Sequence, residues 1–405
     1  MISVGVFTSK FYPEGSGGDL ATYLILKNLS TSRDLQFTVF TGSKSHAIIN
    51  NVSINYMPLL DTKNILHAWF NIIMHREVFL KLIKKFDVIY IPGFLYPLVD
   101  LAKNLNKKVV IHLHGYLPIS ITSVVYRSDL FKYDKSIITD MRRIAWYCVA
   151  QNNYKCMTRI PSALLLPLIR SWLRKADNII VVSKKQHEIL SSAFPYLSHK
   201  MKVIYNPPPE INIEGKELTE RPRFIYLGGD SYIKGFSVLA KALHEICIKR
   251  MLRNGADFVL VNKYSSKSIT ILNKISKLCK HSHKIYPLDR RVSHDEVISL
   301  LRNSWALLLP SRCEEPLPYA VVESMLSGTL PIASSVGGIE EIVPSSLKEI
   351  LLTDPSPDEI VEKVDFVANL DKATVMELGY KLMEHAKKMF DVNVTKNELV
   401  RILVT

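Results

Sequence analysis

The sequence predicts an α/β protein of two Rossmann-like domains in tandem, each built on a doubly wound parallel sheet. Short runs rich in valine and isoleucine alternate with amphipathic stretches, which is the pattern of repeated βα units. The same alternation starts again after a triproline at Pro207–Pro209. With 405 residues, of which 47% are hydrophobic, the chain is long enough for about two domains with large cores.

The first half is interpreted as an N-terminal domain of residues 1–206. Amphipathic helices are predicted between its strands, among them Asp19–Leu29 and Asn64–Lys85. The predicted strands are Ser3–Thr8, Gln36–Phe40, Val88–Ile91, Lys108–Leu113 and Asn178–Val182. Because strands and helices alternate, the sheet is expected to be parallel.

After a linker at residues 207–221, a C-terminal domain is predicted over residues 222–380. Its first helix is predicted at Phe236–Arg250. Its predicted strands are Arg223–Leu227, Asp257–Val261, Lys284–Tyr286, Ala306–Leu309 and Leu330–Ala333. Residues 381–405 are expected to form a helical tail that crosses back to the N-terminal domain.

One segment, Leu117–Lys175, is too long for an ordinary βα connection and is treated as an insert. It carries aromatic residues such as Trp146 and Trp172 among ten basic and three acidic side chains. The basic residues are Arg127, Lys132, Lys135, Arg142, Arg143, Lys155, Arg159, Arg170, Arg174 and Lys175. A solvated helical insert and an amphipathic surface for anionic lipid both fit this composition, and we favour the membrane surface. The segment Asn64–Lys85 is expected to contribute, with most of its apolar residues in the core.

The net charge of +14 is unevenly distributed along the chain. Residues 1–206 hold 26 basic and 12 acidic side chains, so the N-terminal half carries the whole excess. An anionic membrane surface or a lipid-phosphate acceptor is therefore expected on that half. Nucleic acid is not expected, because no zinc finger, RNP-type motif or helix-turn-helix is recognisable.

The cysteines and the N-terminus predict a cellular location. The five cysteines are odd in number, widely spaced and free of any CxxC pair, which argues against a disulfide framework and a zinc site. The first residues, MISVGVFTSKFYPEG, lack a basic segment followed by a long apolar one, so no secretion signal is expected. No apolar run approaches the ~20 residues of a transmembrane helix. A cytoplasmic protein, peripheral on the inner face of the membrane, is predicted.

The stretch Pro310–Val343, PSRCEEPLPYAVVESMLSGTLPIASSVGGIEEIV, predicts a ligand site. A strand ends in a loop, Pro318 is predicted at the first position of a helix, and Gly328 is predicted to end it. Glu315 lies in the loop and Glu323 inside the helix, so their carboxylates bracket the helix N-terminus. That terminus offers N–H donors and a positive dipole to a diphosphate, and carboxylates accept hydrogen bonds from sugar hydroxyls. The pattern suits a nucleotide sugar.

The EX7E arrangement of Glu315 and Glu323, followed by SGTLPIASSVGGIEEIV, resembles the donor site of family 4 retaining glycosyltransferases. These enzymes have the GT-B fold, in which two Rossmann-like domains face a central cleft. FYPEGSGGDLATYL resembles the family's N-terminal loop, with its paired glycines at Gly17 and Gly18. VVIHLHGYLP resembles its histidine turn, with His114 at the matching position.

Three further segments resemble family motifs in the family's order. FIYLGGDSYIKGFSVLAKAL matches the phosphate-binding loop, with Lys234 as its lysine. ADNIIVVSKKQHEIL and VIYNPPP match the signatures at Ser183 and Asn206, which we interpret as structural, with Ser183 capping the next helix. The likeness extends along most of the chain, except the insert.

The chain departs from the family pattern at Gly229, Pro207, Pro316 and Pro318. Gly229 stands where the family usually has an arginine, and the loss of one guanidinium contact weakens donor binding by ~1.5 to 3 kcal/mol without abolishing it. Because proline cannot donate an N–H bond, phosphate contacts at the helix start are expected from Leu317, Tyr319 and their neighbours.

The resemblance implies a retaining transfer in which Lys234, the glycine backbone and the helix end stabilise the leaving diphosphate. In the family, the residue matching Glu323 binds the ribose and the one matching Glu315 contacts the donor sugar. The residue matching His114 lies beside the reacting carbon. No metal or other cofactor is expected, since the sequence contains no Asp-x-Asp pair and a lysine with backbone dipoles suffices for the leaving group.

Two neighbours of these residues receive structural interpretations. His112 points to the same side of its strand as His114 and is interpreted as a hydrogen-bonded core residue. Glu341 is interpreted as a residue behind the site or as a cap of the next helix, with Gly337 and Gly338 supplying the turn.

The sequence thus predicts transfer of a sugar from a nucleotide sugar, held by the C-terminal domain, to an acceptor on the basic N-terminal domain. A lipid-linked or membrane-associated glycan is the expected acceptor. Two alternatives stay open. A nucleotide-sugar epimerase or hydrolase of the same fold would need no basic acceptor face. A non-catalytic protein would bind membrane or nucleic acid through its basic half.

Overall fold

The computed structural model describes residues 1–62, 64–126, 133–151, 153–211, 216–249, 252, 255–279, 283–350 and 354–405. Each half of the chain contains one parallel sheet with helices on both faces, so the predicted fold class is confirmed. Among the predicted features, Arg127 and Lys132 of the insert, Arg250 and linker residues 212–215 lie outside the described residues.

The N-terminal sheet has seven parallel strands in the order β3-β2-β1-β4-β5-β6-β7. The strands are β1 (Ile2–Thr8), β2 (Leu35–Thr41), β3 (Val52–Tyr56), β4 (Val88–Ile91), β5 (Lys108–Leu113), β6 (Asn178–Val181) and β7 (Met201–Val203). The sequence prediction missed β3 and β7. Both are edge strands, β3 is half-exposed with polar residues, and β7 has three residues, so neither shows the apolar run of a buried strand.

The helices of this half are α1 (Gly17–Leu29), α2 (Ile65–Met74), α3 (Arg76–Ile83), α4 (Pro97–Asn104), α5 (Ile137–Ala150), α6 (Leu166–Lys175) and α7 (Lys184–Ala193). Two short 3₁₀ segments and a longer one at Tyr154–Leu165 connect them. The single helix predicted at residues 64–85 is wrong, because His75 leaves helical geometry and separates α2 from α3. The predicted cap at Ser183 is confirmed, since its Oγ accepts from the Gln186 N–H.

The C-terminal sheet has five parallel strands in the order β10-β9-β8-β11-β12. Its strands are β8 (Arg223–Tyr226), β9 (Ala256–Val261), β10 (His283–Leu288), β11 (Ala306–Leu309) and β12 (Leu330–Ala333). Its helices are α8 (Phe236–Lys249), α9 (Ser266–Leu278), α10 (His294–Arg302), α11 (Tyr319–Leu326), α12 (Ile339–Ile342), α13 (Pro357–Ala368) and α14 (Lys372–Met389). All five predicted strands are present; β11 and β12 have the predicted ends, and the ends of the other three are shifted by one or two residues.

The last helix, α15 (Val392–Val404), packs on the N-terminal domain. Leu399, Ile402 and Leu403 are buried in the same core as β1 and β2, and the Lys108 ammonium donates to the carbonyl of Ile402. The domain boundary predicted at residue 380 lies within α14, so the chain crosses between the domains after Met389.

The expectation of no disulfides is wrong. Cys148 near the end of α5 is bonded to Cys156 in the 3₁₀ segment, and Cys247 on α8 is bonded to Cys279 at the end of α9. Helix packing brings each pair together, with Cα atoms 5.6 and 4.4 Å apart, and cysteine spacing in the sequence does not encode that packing. Cys313 is a buried free thiol.

The insert packs against the N-terminal domain through part of its positive charge. The Arg170 guanidinium lies 5.1 Å from the centre of the Phe194 ring, and Lys175 forms a salt bridge with Asp100. Arg143 is fully buried. Part of the basic excess therefore holds the insert in place instead of facing solvent. None of the helices in the described ranges has the length and apolar character needed to cross a bilayer.

Candidate functional site

Loops that follow the carboxyl ends of β1, β5, β8, β9 and β11 surround one cavity of about 460 Å³, here called the central cavity. Both domains contribute to its wall, as expected where carboxyl ends of parallel strands face each other. Seven of the eight predicted site residues line it. These are Gly17, Gly18, His114, Lys234, Glu315, Leu317 and Tyr319.

The glycine pair lies at the start of α1, where the Asp19 carboxylate accepts from the Ser16 N–H at 2.7 Å and fixes the first turn. A Cβ on Gly18 would lie 3.3 Å from the Cβ of His114, and one on Gly17 would lie 3.6 Å from the Tyr319 ring. The missing side chains therefore let the helix start approach the histidine turn and the opposite domain. Contact with a donor diphosphate stays a prediction.

Lys234 and Glu315 form an ion pair at the floor of the cavity. The Lys234 Nζ lies 2.6 Å from Glu315 Oε1, which also accepts from the Ser311 hydroxyl at 2.6 Å. Burial alone would lower the pKa of Lys234, but the adjacent Glu315 carboxylate raises it above its ordinary value. Within the described residues, Glu315 Oε2 makes no hydrogen bond, so it remains able to accept one from a ligand hydroxyl.

The loop that carries Glu315 is braced by backbone. Gly337 has φ +54°, and a Cβ there would lie 1.9 Å from the carbonyl oxygen of Glu315. The N–H of Gly338 donates to that same carbonyl at 2.7 Å. The glycine turn predicted at this position thus packs directly against the backbone of Glu315, which a larger residue at position 337 would displace.

The insert also contacts this loop, which the sequence did not indicate. The Glu314 N–H donates to the carbonyl of Val125 at 2.8 Å, and Tyr126 pairs with Cys313 in a short antiparallel bridge. The Tyr133 hydroxyl donates to the Glu314 carboxylate at 3.2 Å. The insert is therefore part of the scaffold that positions the loop of Glu315.

The helix start at the cavity differs from the prediction by one residue. Pro318 was expected at the first helical position, but it is the N-cap, and α11 begins at Tyr319. The ring fixes φ but leaves ψ free, and here ψ is 118°, which is extended. The N–H groups of Tyr319 and Ala320 belong to the first turn and have no partner within the helix. Both residues line the central cavity.

His114 is half-buried and lines the cavity. Burial lowers the pKa of His114 to about 4, so its ring is neutral at physiological pH. Asn206 donates to Nδ1 of His114 at 3.5 Å, whereas His114 Nε2 and Asn206 Oδ1 are buried without a partner among the described residues. His112 stacks on His114 and shares a hydrogen bond with the Tyr90 hydroxyl, which agrees with its structural interpretation.

Glu323 is the one predicted site residue that does not line the central cavity. It lies inside α11, and its Oε1 is 2.8 Å from His294 Nε2. The hydrogen bond to Glu323 raises the pKa of His294 and favours an imidazolium–carboxylate pair. Glu341 also lies outside the cavity lining, half-buried on α12, and burial raises its pKa.

A second cavity of about 430 Å³, here called the side cavity, adjoins the first through Leu227 and Asn262. Lys263 and Arg291 line it. Gly229 lies beside it with φ +58°, and a Cβ there would be 2.9 Å from the Lys263 carbonyl. The backbone at this position therefore disfavours the arginine that the family usually has, and the two cations of the side cavity, Lys263 and Arg291, come from other loops.

Three polar residues of the cavity wall are not among the predicted site residues; these are Asn206, Ser231 and Asn262. Asn206 was assigned a structural role although it lies within a quoted motif, and its orphaned oxygen is visible only in three dimensions. Asn262 has φ +99°, a conformation that no local sequence pattern predicts. In the described ranges, no three His, Cys, Asp or Glu side chains are placed to hold a metal ion, and metal independence stays a prediction.

Two doubly wound domains around a central cleft define the class of GT-B glycosyltransferases. Two family models together match residues 17–389: Glycosyltransferase Family 4 over residues 17–208, and Glycosyl transferases group 1 over residues 209–389. The chain belongs to the family 4 glycosyltransferases, and the resemblance drawn from its motifs is confirmed.

The chain is similar to known proteins of this class. An uncharacterized glycosyltransferase of Methanocaldococcus jannaschii is 29% identical over 206 residues, which are 47% of this chain and 50% of the relative. The match thus spans about half the length of that curated relative. Anabaena HepE in complex with UDP-glucose is 17% identical, with a TM-score of 0.67 and complete coverage of both chains. Sucrose-phosphate synthase of Thermosynechococcus elongatus is 13% identical, with a TM-score of 0.71 over 99% of this chain and 98% of its own.

Proposed function

We propose that this chain transfers a sugar, with retention of configuration, from a nucleotide sugar to an acceptor in the central cleft. The observation that carries the proposal is the central cavity, where Lys234, Glu315, His114 and the start of α11 meet. The central cavity offers the neutral ring of His114, the ammonium of Lys234 and free N–H groups at the start of α11. This combination suits a diphosphate joined to a sugar. The fold is also shared with HepE, which binds UDP-glucose.

The donor is proposed to lie across both cavities. Its diphosphate contacts Lys234 and the N–H groups of the first turn of α11, and its nucleoside occupies the side cavity. There Lys263 and Arg291 supply the positive charge that Gly229 does not. Glu323 lines neither cavity, but its partner His294 follows Val292 of the side-cavity lining by two residues, so the proposed contact with the ribose is made at the edge of the side cavity.

In the proposed reaction, the bond between the sugar C1 and the phosphate oxygen breaks, an acceptor hydroxyl oxygen bonds to C1 on the same face, and the hydroxyl proton passes to the leaving phosphate oxygen. Negative charge grows on the leaving diphosphate, where the Lys234 ammonium stabilises it. His114 is neutral and offers Nε2 to the donor sugar, and Glu315 Oε2 accepts from a sugar hydroxyl. No step requires a metal ion.

Release of nucleoside diphosphate from a panel of UDP, GDP and ADP sugars tests this proposal. We expect one donor class to be consumed, and Glu315→Gln to slow consumption by about 10²-fold because the amide no longer accepts at both oxygens. NMR of the product should show the anomeric configuration of the donor. An inverted product would overturn retention, and a free epimerised or hydrolysed sugar formed equally well without acceptor would favour the alternative enzymes.

We further propose that the acceptor is reached at an anionic membrane. Phe70, Ile73 and Met74 are exposed and lie on one face of α2, here called the apolar stripe, and Val78 of α3 is exposed as well. Basic residues flank the stripe at Arg76, Lys81, Lys84 and Lys85, and all four are exposed. Trp69, next to the stripe, packs on Trp172 of the insert at 5.2 Å, which joins the two basic segments. Apolar residues beside lysine and arginine suit an interfacial surface.

Sedimentation with phosphatidylglycerol vesicles tests the membrane proposal. The double variant Phe70→Ser/Ile73→Ser is expected to weaken vesicle binding by about tenfold or more, because each side chain loses its burial in the interface. The matched control is Met376→Ser/Tyr380→Ser, which removes two exposed apolar side chains from α14. Equal loss in both variants, or equal binding to phosphatidylcholine vesicles, would contradict the proposed surface.

A further inference from the structure

The outer face of the C-terminal domain carries a groove of about 1140 Å³, here called the α8–α9 groove. Helices α8 and α9 form its sides, and Ala150 and Gln151 of the insert border it. Asp230 and Tyr232 line this groove, whereas Ser231 and Lys234 of the same loop line the central cavity. The two sites therefore lie on either side of the phosphate-binding loop. Protein pockets for small ligands measure ~300 to 1,000 Å³, so the groove has room for such a ligand.

The floor of the groove is apolar. Phe236 and Ala240 of α8 and Ile275 of α9 are buried along it. Ile271 and Leu278 of α9 remain 37% and 42% exposed, so two large aliphatic side chains stand open to solvent inside the groove. Positions 271, 275 and 278 follow helical spacing and present one continuous apolar strip.

Cations without partners line the same groove. Within the described residues, none of the four lysines that line it makes a hydrogen bond or salt bridge; these are Lys241, Lys267, Lys274 and Lys277. The two acidic residues of the lining are already engaged. Asp230 accepts from the Ser265 N–H, and Glu245 pairs with Lys249. The groove therefore presents uncompensated positive charge around an apolar strip.

The two helices are tied together at both ends. At one end, the disulfide between Cys247 and Cys279 joins α8 to the end of α9. At the other end, Asp230 accepts from the Ser265 N–H at 2.8 Å and from the Ser268 hydroxyl at 3.2 Å. A groove held in this way is pre-formed, so binding there requires little ordering of the protein.

We propose that the α8–α9 groove binds an amphiphilic anion, a single hydrocarbon chain that carries a phosphate or similar charged group. The chain lies along Ile271, Ile275 and Leu278, and the headgroup contacts the unpaired lysines. A purely apolar ligand would leave four ammonium groups unmatched, and a small inorganic anion would leave the aliphatic strip exposed. This proposal does not depend on the donor site, because none of these side chains lines the central cavity.

Calorimetric titration of the full chain with dodecyl phosphate, below its critical micelle concentration, tests the proposal. Lys267→Glu/Lys274→Glu and Ile271→Gln are each expected to weaken binding by about tenfold or more. The matched controls are Lys284→Glu on β10 and Ile248→Gln on α8, both exposed and outside the groove lining, which should bind as wild type. Since all the substituted side chains are exposed, except for the partly exposed Ile271, unchanged melting temperatures are expected to accompany the loss.

Two further ligands decide which chemistry the groove recognises. Inorganic phosphate lacks the chain and dodecyl maltoside lacks the charge, so both should bind at least about tenfold more weakly than dodecyl phosphate. Equal affinity for either one overturns the proposal, as does unchanged binding in the groove variants. Phosphatidylglycerol vesicles that bind through the four lysines, without binding of monomeric dodecyl phosphate, would also overturn it and indicate a membrane surface instead.

Discussion

Replacing Lys234 with alanine is expected to lower kcat by about 10²- to 10³-fold while KM for the nucleotide sugar changes much less. Among the described residues that line the central cavity, Lys234 carries the one ammonium or guanidinium group, and the neighbouring His114 is neutral. Charge on the leaving diphosphate grows in the transition state, so the lost contact acts mainly on kcat. Glycine backbone and the start of α11 still bind the ground state. Initial rates of nucleoside diphosphate release over a donor series measure both constants.

Because Lys234 is ion-paired with Glu315, the alanine variant is also expected to lose stability, and a second substitution at Glu315 serves as its control. Without Lys234, the buried Glu315 carboxylate keeps only the Ser311 hydroxyl as a close partner, and an unpaired buried charge costs stability. In the double variant Lys234→Ala/Glu315→Gln the stranded charge is gone, so the melting temperature should recover while kcat does not. Lys381→Ala, which removes an exposed lysine paired with Glu377, should leave the melting temperature and kcat unchanged. Recovery of kcat in the double variant would contradict a role for Lys234 in the reaction.

The central strands of both sheets were predictable because each is a short, continuous apolar run, as in Val88–Ile91 and Ala306–Leu309. The site was predictable where chemistry is local, since a lysine before a glycine or a carboxylate beside a helix start is visible in a few residues. The edge strands β3 and β7 were missed because β3 is half-exposed and β7 has only three residues, so neither gives such a run.

Other features depend on residues far apart in the chain. Tyr133 contacts Glu314, which is 181 positions away in the chain. No local sequence pattern therefore predicts that the insert supports the loop that carries Glu315. The Cys247–Cys279 disulfide likewise follows from the packing of α8 on α9. The net charge of the insert can be counted from the sequence. Which of its basic side chains face solvent and which pair with residues such as Asp100 cannot be predicted that way. Local patterns therefore located residues that line the central cavity, and tertiary packing determined what supports them.

Gly235→Ala is expected to destabilise the protein by more than about 3 kcal/mol and to remove most of the transfer activity. Gly235 follows Lys234 with φ +82°, a left-handed conformation that disfavours any Cβ. A Cβ there would also lie 1.9 Å from the carbonyl oxygen of Pro310, which is backbone and cannot rotate away. The phosphate-binding loop must therefore shift away from β11, and the Lys234 ammonium moves with it. The melting temperature and kcat should therefore both fall.

The variant Gly328→Ala separates the cost of a Cβ on a left-handed backbone from the effect of the close contact with the Pro310 carbonyl. Gly328 has a similar φ, +66°, but its Cβ would lie 3.4 Å from the Lys216 side chain and 3.6 Å from the Gly379 carbonyl carbon, which are ordinary contacts. This variant carries the conformational cost alone, about 1 kcal/mol, and lies outside the lining of the central cavity, so kcat should stay unchanged. If both variants lower the melting temperature equally and keep full activity, the contact between Gly235 and Pro310 does not position Lys234. A larger loss in Gly235→Ala, with kcat falling only there, identifies that close backbone approach as the feature that aims the lysine into the cavity.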